Sequence, residues 1–432
     1  MRILLTEGSG LTSRQVAGRL RSAGHEVGVL SCDPIFLTRF TNSTSAWHRV
    51  PAFGPDPFGW FDAAVAIYRE HGYDLLFPTQ EQVTVVVASA ERLRRDDIAT
   101  IVPPFEALAA VQDKVAATAT IQRLALPQPP STILTDRAMV QAFDGFPVFL
   151  KLPIGTAGGG VGLVRTRSEL DALVAGWDLD EAFAIGGLVA QEPAEGPLAM
   201  LQSVFDHGRL VAFHANIRTR EGARGGASHK RSVSLPAARD AIERLGHELG
   251  WNGALSADVI LTTDGPVLID INPRLVEPNN AWFAGVDLVG TMVALAVDEH
   301  PPIVATGREG VATHQLVLAI LGAAQHGRGR RGILAELAGA ITRRGSYRAS
   351  REELTPLKGD LQAAAPLALA ALVTLARPSM WTWFSSASVS NYALSPRGWR
   401  EITARQDSLG EELEVHGQSA PRVQPIGGVR RR

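Results

Sequence analysis

The stretch Val267-Leu268-Ile269-Asp270-Ile271-Asn272-Pro273-Arg274 sets a carboxylate, an amide and a guanidinium at alternate positions of an otherwise apolar strand. Side chains in a strand alternate between faces, so Asp270 and Asn272 project together, with Leu268 before them and Arg274 after. A carboxylate and an amide oxygen on one face suit a hard cation such as Mg2+, which takes oxygen ligands and keeps phosphate oxygens in its shell. Asp258 lies in the apolar stretch 257–261 and is separated from Asp270 by the turn Thr263-Asp264-Gly265. A hairpin there sets Asp258 across from Asp270 and Asn272. Acids buried in strands are costly unless a cation pairs with them, which makes a metal the better account of the pair. Asp264, just before Gly265, reads as an ordinary turn aspartate.

Working towards the N-terminus, Phe146-Pro147-Val148-Phe149-Leu150-Lys151 delivers one lysine at the end of an apolar strand. Gly155-Thr156-Ala157-Gly158-Gly159-Gly160-Val161-Gly162 follows after Leu152-Pro153. Glycines let backbone N–H groups close around phosphate oxygens, and an ammonium beside them adds a point charge. No G-K-[ST] ends the loop, so it is not a Walker loop. Residues 106–124 read as helical before Pro127, Pro129 and Pro130 break the pattern. The first hundred residues alternate strand and helix, with strands at 2–6, 26–30, 74–78 and 98–102, and predict a small parallel α/β domain. Gly8-Ser9-Gly10 lacks the third glycine of a dinucleotide fingerprint, Ser13 standing there, and reads as a tight strand-to-helix turn rather than an NAD site.

Composition narrows the classes. The chain of 432 residues carries 42 Lys plus Arg against 44 Asp plus Glu, a formal charge of −2. That balance argues against a dedicated nucleic-acid binder. The single Cys32 allows neither an internal disulfide nor a multi-thiolate zinc site. The opening residues show no secretory pattern, which leads to the expectation of a cytoplasmic protein.

The order Asp113-Lys114, Pro127 to Pro130, the Lys151 strand with its glycine loop, Gln191-Glu192-Pro193, Asp258 and Asp270-Ile271-Asn272-Pro273-Arg274 resembles the ATP-grasp superfamily. The nearest flavour is its carboxylate-amine ligase and carbamoyl-phosphate-synthetase-like branch. The resemblance covers about residues 1–300. It implies a Rossmann-like parallel α/β domain over 1–104, a small ATP-grasp subdomain over 105–187 and a large one over 188–305. A mostly helical extension over 306–415 and a disordered tail over 416–432 complete the expected α/β architecture. It further implies that Lys114 and Lys151 contact ATP, that the loop with Gly158, Gly159 and Gly160 covers the phosphates, and that Gln191, Glu192, Pro193 and Ala194 form the hinge beside the adenine. Asp258, Asp270 and Asn272 would hold one or two Mg2+ or Mn2+ ions, and Arg274 would stabilise the transferred phosphoryl group. Two features depart from the family. Gly196 is followed by Pro197-Leu198-Ala199 where a ribose-binding acid is usual, and Asp270 replaces the usual Glu. The implied reaction activates a small-molecule carboxylate as an acyl phosphate for attack by an amine. The alternatives are another nucleophile, simple phosphoryl transfer, or a nucleotide-binding or membrane-associated regulator without turnover.

The substrate side is set by charge. Residues 217–231 carry Arg218, Arg220, Arg224, Lys230 and Arg231 against one acid, Glu221, with glycines between, and read as a mobile cationic loop able to meet a carboxylate and its acyl phosphate. Arg218, on the strand leading to the site, is assigned to catalysis; Arg220 and Lys230 are substrate candidates, and His229 reads as an exposed loop histidine. Glu81 follows the 74–78 strand at a carboxyl end of the sheet, where α/β proteins bind ligands, and is the candidate to orient the nucleophile. Residues 361–376 carry no charge and include Pro366; with Trp381, Trp383 and Phe384 they read as a buried or homodimer-interface helix rather than a membrane-associated one.

Overall fold

The computed structural model describes residues 1–156, 158–299 and 307–418, and its strands fall into three sheets. The first is parallel, with β1 (Arg2–Leu5), β2 (Glu26–Ser31), β3 (Ala46–Arg49) and β4 (Leu75–Phe77) in the order 3-2-1-4. The small second sheet is antiparallel and holds β5 (Ser131–Leu134), β6 (Val148–Lys151), β7 (Val161–Val164) and β8 (Leu188–Gln191) in the order 5-8-6-7. The third holds β9 (Leu198–Asp206), β10 (Arg209–Glu221), β11 (Ala227–Ser232), β12 (Gly253–Thr262), β13 (Gly265–Asn272), β14 (Ala312–His314) and β15 (Ser350–Glu352) in the order 13-12-9-10-11-14-15.

Several details differ from the sequence reading. Residues 98–102 form no strand: Leu76 donates to the Ala99 carbonyl at 2.9 Å, and Pro103-Pro104 follow, which cannot extend a ladder. The helical stretch 106–124 is two helices, Phe105–Gln112 and Lys114–Arg123, separated at Asp113, whose carboxylate caps the second by accepting from Ala116 N at 2.7 Å. Strand β8, placed by the sequence at the head of the large subdomain, pairs instead with β5 and β6 of the small sheet. Strands β14 and β15 come from the region read as mostly helical and extend the edge of the large sheet. The final helix, Pro396–Gln418, runs past the expected start of the tail, and residues 419–432 lie outside the described residues.

The large sheet is covered on both faces because its central strands alternate. Leu201 and Phe205 of β9 and Leu255, Ala257 and Val259 of β12 enter one core together with Ala238, Ile242 and Leu245 of helix Pro236–Glu248 and the fully buried Trp251. Val204 and Ala254 enter the other, against Leu288, Met292 and Leu295 of helix Leu288–Ala296. Each such fully buried side chain contributes about 1.5–3 kcal/mol.

The turn after β1 settles the glycine reading. Burial raises the carboxyl pKa of Glu7, and its side chain accepts from the backbone N–H groups of Ser9 and Gly10, the latter at 2.8 Å, and from Ser13 Oγ at 3.2 Å. The donors a pyrophosphate would need at helix Leu11–Ser22 are thus taken by the chain's own carboxylate.

Candidate functional site

A cleft opens where the small sheet, the Lys114–Arg123 helix and the end of β13 meet. Its outer part is lined by Glu81, Gln112, Lys114, Gly155, Asp270 and Asn272, its inner part by Ala117, Ile121, Gln128, Lys151, Gln191 and Leu268, with volumes of about 420 and 290 Å³. The inner part sets Ala117, Ile121 and Leu268 beside Gln128, Gln191, Lys151 and Asp270, and the outer part is the more charged of the two.

Lys151 reaches the inner compartment as the last residue of β6. Its Nζ donates to Gln191 Oε1 at 2.7 Å and to the Ile269 carbonyl at 2.8 Å, so it bridges the small and large sheets. That carbonyl is available because of a bulge: Asp270 faces Asp258 and Leu268 faces Val259, leaving Ile269 without a cross-strand partner. Burial pulls the Lys151 ammonium down to about 8, with Asp270 opposing and Lys114 reinforcing the shift. Gln191 is held in turn by donating from Nε2 to Ser131 Oγ at 3.1 Å.

The second lysine closes on the glycine loop. Lys114 Nζ donates to the Gly155 carbonyl at 3.1 Å, and its backbone N–H to Pro153 O at 2.9 Å. Gly158 and Gly160 take φ of 76° and 74°, the left-handed region where a side chain is strained. Gly159 N donates to Thr156 O at 3.0 Å, tightening the turn. A Cβ on Gly158 would lie 4.0 Å from the Arg224 carbonyl, which places the loop opposite the β10–β11 turn across the cleft.

The expected hairpin brings the acids together. Asp258 and Asp270 are direct cross-strand partners, as are Ser256 and Asn272. Burial, and then the neighbouring Asp270, push the Asp258 carboxyl up to about 7, while Arg218 and Arg274 oppose the rise. Two carboxylates that close call for a cation. Among the described residues no cluster of three or more His, Cys, Asp or Glu side chains forms a metal centre; two carboxylates and an amide are the set with which Mg2+ binds when phosphates complete its shell.

Arg274 Nη2 and Nε lie 3.2 and 3.3 Å from Glu81 Oε1, and Gln112 Nε2 donates to Glu81 Oε2 at 3.2 Å. Glu81 is therefore in the cleft, tied to the arginine. Arg218 donates to the Gly225 carbonyl and lies 3.3 Å from Glu221.

The remaining residues are placed differently from the mobile loop read from sequence. Residues 217–231 are a hairpin of β10 and β11, with β11 inside the large sheet between β10 and β14. Lys230, 2% exposed, is ion-paired with Glu277 and, at 2.9 Å, Glu353. Arg220 pairs with buried Glu336, which also accepts from Tyr347 Oη at 2.7 Å. His229 is buried, stacked 5.7 Å from His314 with Tyr347 edge-on at 4.8 Å; burial, then Arg220, hold it down to about 4. Arg220 and Lys230 are consumed by ion pairs under β14 and the elements after it, whereas Arg224 and Arg231 are exposed. Of the hinge, Gln191 lines the cleft, whereas Glu192 and Pro193 are exposed and Ala194 is half-buried. Glu195, the acid just before Gly196 that could stand in for the missing ribose-binding acid, is also exposed.

A family model for the ATP-grasp domain matches residues 111–278. The chain carries an ATP-grasp domain. The matched span holds both lysines, the glycine loop, the Asp258–Asp270 hairpin and Arg274. About seven-tenths of the chain is similar in fold to solved structures. The biotin carboxylase domain dimer of 2-oxoglutarate carboxylase from Hydrogenobacter thermophilus, solved with MgADP, ADP and bicarbonate, is 18% identical, with a TM-score of 0.58 over 72% of this chain and 73% of that one. Biotin carboxylase from Campylobacter jejuni, in complex with an ATP analogue, gives 18% and 0.57 over 72% and 74%. N5-carboxyaminoimidazole ribonucleotide synthetase from Thermotoga maritima gives 15% and 0.53 over 72% and 79%. At these identities the likeness is one of fold.

Sequence reasoning missed three residues that line the cleft and a fourth, Tyr392, two positions from one of them. Gln112 and Gln128 line it with side-chain oxygens that are buried without a partner. Leu394 lines the outer part from 120 residues beyond Arg274, and the half-buried Tyr392 feels the charges of Arg274, Glu7, Glu81 and Glu277, its hydroxyl pKa raised mainly by burial. The glutamines flank the Asp113-Lys114 and proline signals, so their position was readable; nothing in the sequence pointed to residues 392–394.

Proposed function

We propose that this protein is an ATP- and Mg2+-dependent ligase that activates a small carboxylate as an acyl phosphate for attack by an amine, with ADP and phosphate released. The observation that carries the reading is one cleft with two lysines on one wall and Asp258, Asp270, Asn272 and Arg274 on the other. Phosphoryl transfer asks mainly for positioning and charge neutralisation, and these residues supply both.

In this reading the adenine enters the inner compartment against its apolar side chains Ile121 and Leu268, with the unpartnered Gln128 oxygen accepting from its amino group. Lys151 and Lys114 hold the phosphates, and the loop of Gly158, Gly159 and Gly160 folds over them. Asp258, Asp270 and Asn272 would hold Mg2+, which supplies neutralisation of phosphate charge. Arg274, oriented by Glu81, meets the moving phosphoryl group. Gln112, Tyr392 and Leu394 shape the outer compartment where the carboxylate lies, and Arg218 reaches the same side from β10. Closure of the two sheets over the reactants would exclude the water that hydrolyses an acyl phosphate. The ligand-bound relatives support the nucleotide side of the proposal. The amine acceptor is an expectation carried by the family resemblance, and the homodimer one carried by the uncharged segment 361–376 with its following aromatics.

An isotope experiment tests the reaction. The carboxylate oxygen attacks the γ-phosphorus and stays on phosphorus when the amine expels phosphate. With an 18O-carboxylate found by screening pools of small acids for ADP release, one label should appear in inorganic phosphate. AMP with pyrophosphate would indicate adenylation, and unlabelled phosphate plain hydrolysis; either overturns the reading.

A further inference from the structure

Residues 326–377 hold nine Lys and Arg against four acids, in a chain whose overall charge is −2. All nine bases are exposed. None of the four acids is: Glu336, Glu353 and Asp360 are buried, and Glu352 turns inward to accept from Leu316, Leu354 and Thr355 N–H groups. Glu336 meets Arg220, Glu353 meets Lys230, and Asp360 accepts from Thr41 and lies 3.6 Å from Arg14. Internal pairing strips the lobe's surface of negative charge.

The same surface is apolar along two helices. Helix Ala364–Ala376 buries Ala370, Ala371 and Thr374 and turns Leu369 and Leu372 outward, 48% and 67% exposed, with Leu361 just ahead at 81%. The burial expected for this segment therefore holds for one face only. Beside it, helix Gly329–Thr342 buries Ile333 and leaves Leu334 and Ile341 exposed. The helices are neighbours, since Arg330 donates to the carbonyls of Leu375 and Ala376 at 2.7 and 2.9 Å. Helix Trp381–Ser390 packs on the same group and exposes Trp383. The exposed bases adjoin these helices along the chain: Arg331 lies within helix Gly329–Thr342, Arg343, Arg344 and Arg348 follow its end, Lys358 precedes Leu361, and Arg377 ends helix Ala364–Ala376. Among the described residues no helix is long and apolar enough to cross a membrane.

We propose that this face of the C-terminal lobe docks on an anionic lipid surface, with the leucines and Trp383 entering the headgroup boundary and the bases meeting lipid phosphates. Leucine and tryptophan on one side of short helices, with Lys and Arg at their margins and no acid among them, is the combination that interfacial binding requires. The charge decides against a second copy of this chain: a two-fold contact sets like against like, and a basic rim with no exposed acid opposes itself.

The experiment is sedimentation of the full chain with vesicles of phosphatidylcholine alone or mixed with equal parts of phosphatidylglycerol. The wild type should pellet with the anionic vesicles at low salt, stay in solution with the neutral ones, and be released by about 0.5 M salt, where the Debye length falls to a few ångströms. Leu369→Glu with Leu372→Glu, and separately Arg343→Glu with Arg344→Glu, should each weaken vesicle binding at least about tenfold. All four residues are exposed, and an unchanged unfolding midpoint verifies that the variants fold. A wild type that stays in solution with anionic vesicles, equal binding to neutral vesicles, or binding indifferent to both double variants would overturn the proposal. So would a wild-type dimer in sedimentation velocity that the leucine variant converts to monomer, which would assign the face to self-association.

Discussion

The ATP-grasp cleft and the C-terminal lobe use the same residue types to opposite ends. In the cleft, lysines, arginines and acids from several elements converge inward, with Asp258 and Asp270 facing each other as like charges. Across residues 326–377 of the lobe the four acids are held inside, and the bases and the outward leucines are left outside. Lys230 belongs to neither pattern: buried in β11, it joins Glu277 at the edge of the cleft to Glu353 beneath the lobe. Burying a charge is tolerable when it is fully paired and productive when a ligand will pair it.

The sharpest way to break this contrast is at the facing carboxylates Asp258 and Asp270. Asp270→Asn should lower turnover by about a hundredfold to a thousandfold, the scale of losing one pre-organised electrostatic contact, while the unfolding midpoint holds or rises because a repulsion with Asp258 is relieved. Normal activity with a normal Mg2+ titration would reduce the pair to a structural role. Lys230→Met should act the other way round. It strands two buried carboxylates, costing about 3–5 kcal/mol of stability, to be seen in chemical denaturation; a loss below about 1 kcal/mol would mean that the glutamates relax or take up protons at little cost.

A finer test concerns Lys151, whose folded value of about 8 lies below the ordinary lysine 10.5. Between those values the unfolded chain binds a proton that the folded chain does not, so stability gains as pH rises across the interval. Nucleotide affinity moves in the opposite sense, falling as pH climbs through about 8 and the charge leaves. Lys151→Arg should flatten that fall, and Lys151→Met should bind ATP weakly at every pH; a wild-type affinity constant from pH 7 to 9.5, followed by calorimetry, would contradict the assignment. The smallest effect is expected at the surface. Arg400 forms a two-pronged contact with Glu181 at 2.8 and 3.0 Å but is half exposed, and Arg400→Ala should cost less than about 1 kcal/mol.

How much of this was legible in sequence follows the same divide. The Asp258–Asp270 hairpin could be read because strand period and a short turn are local properties, and the Lys151 strand and its glycines for the same reason. The parallel order of the first sheet followed from strand–helix alternation. The β10–β11 segment was misread because glycines and charges suggest a loop, and only the strand at 312–314 and the helices above it turn those charges into buried pairs. The bulge at Ile269 was invisible, since a strict two-residue period offers no sign of the extra residue that frees its carbonyl for Lys151. In the lobe, nine bases stand against four acids over some fifty residues, and only tertiary contacts, which draw the four acids inside, decide that the bases alone reach the surface.

The segment carrying Tyr392 and Leu394 also bears on the order in which the protein becomes competent. Asn391 donates to Ser9 Oγ at 2.9 Å, Ser395 donates to the Gly54 carbonyl at 2.6 Å, and Trp399 packs against Phe105. Side chains from nearly the two extremes of the chain thus meet beside Leu394, which lines the cleft. During synthesis both lysines and the acid pair emerge long before residues 391–394, so a nascent chain holds them without that part of the wall. Under the proposed reaction an acyl phosphate formed at that stage would be lost to water, and productive chemistry would wait on the arrival of residues 391–394.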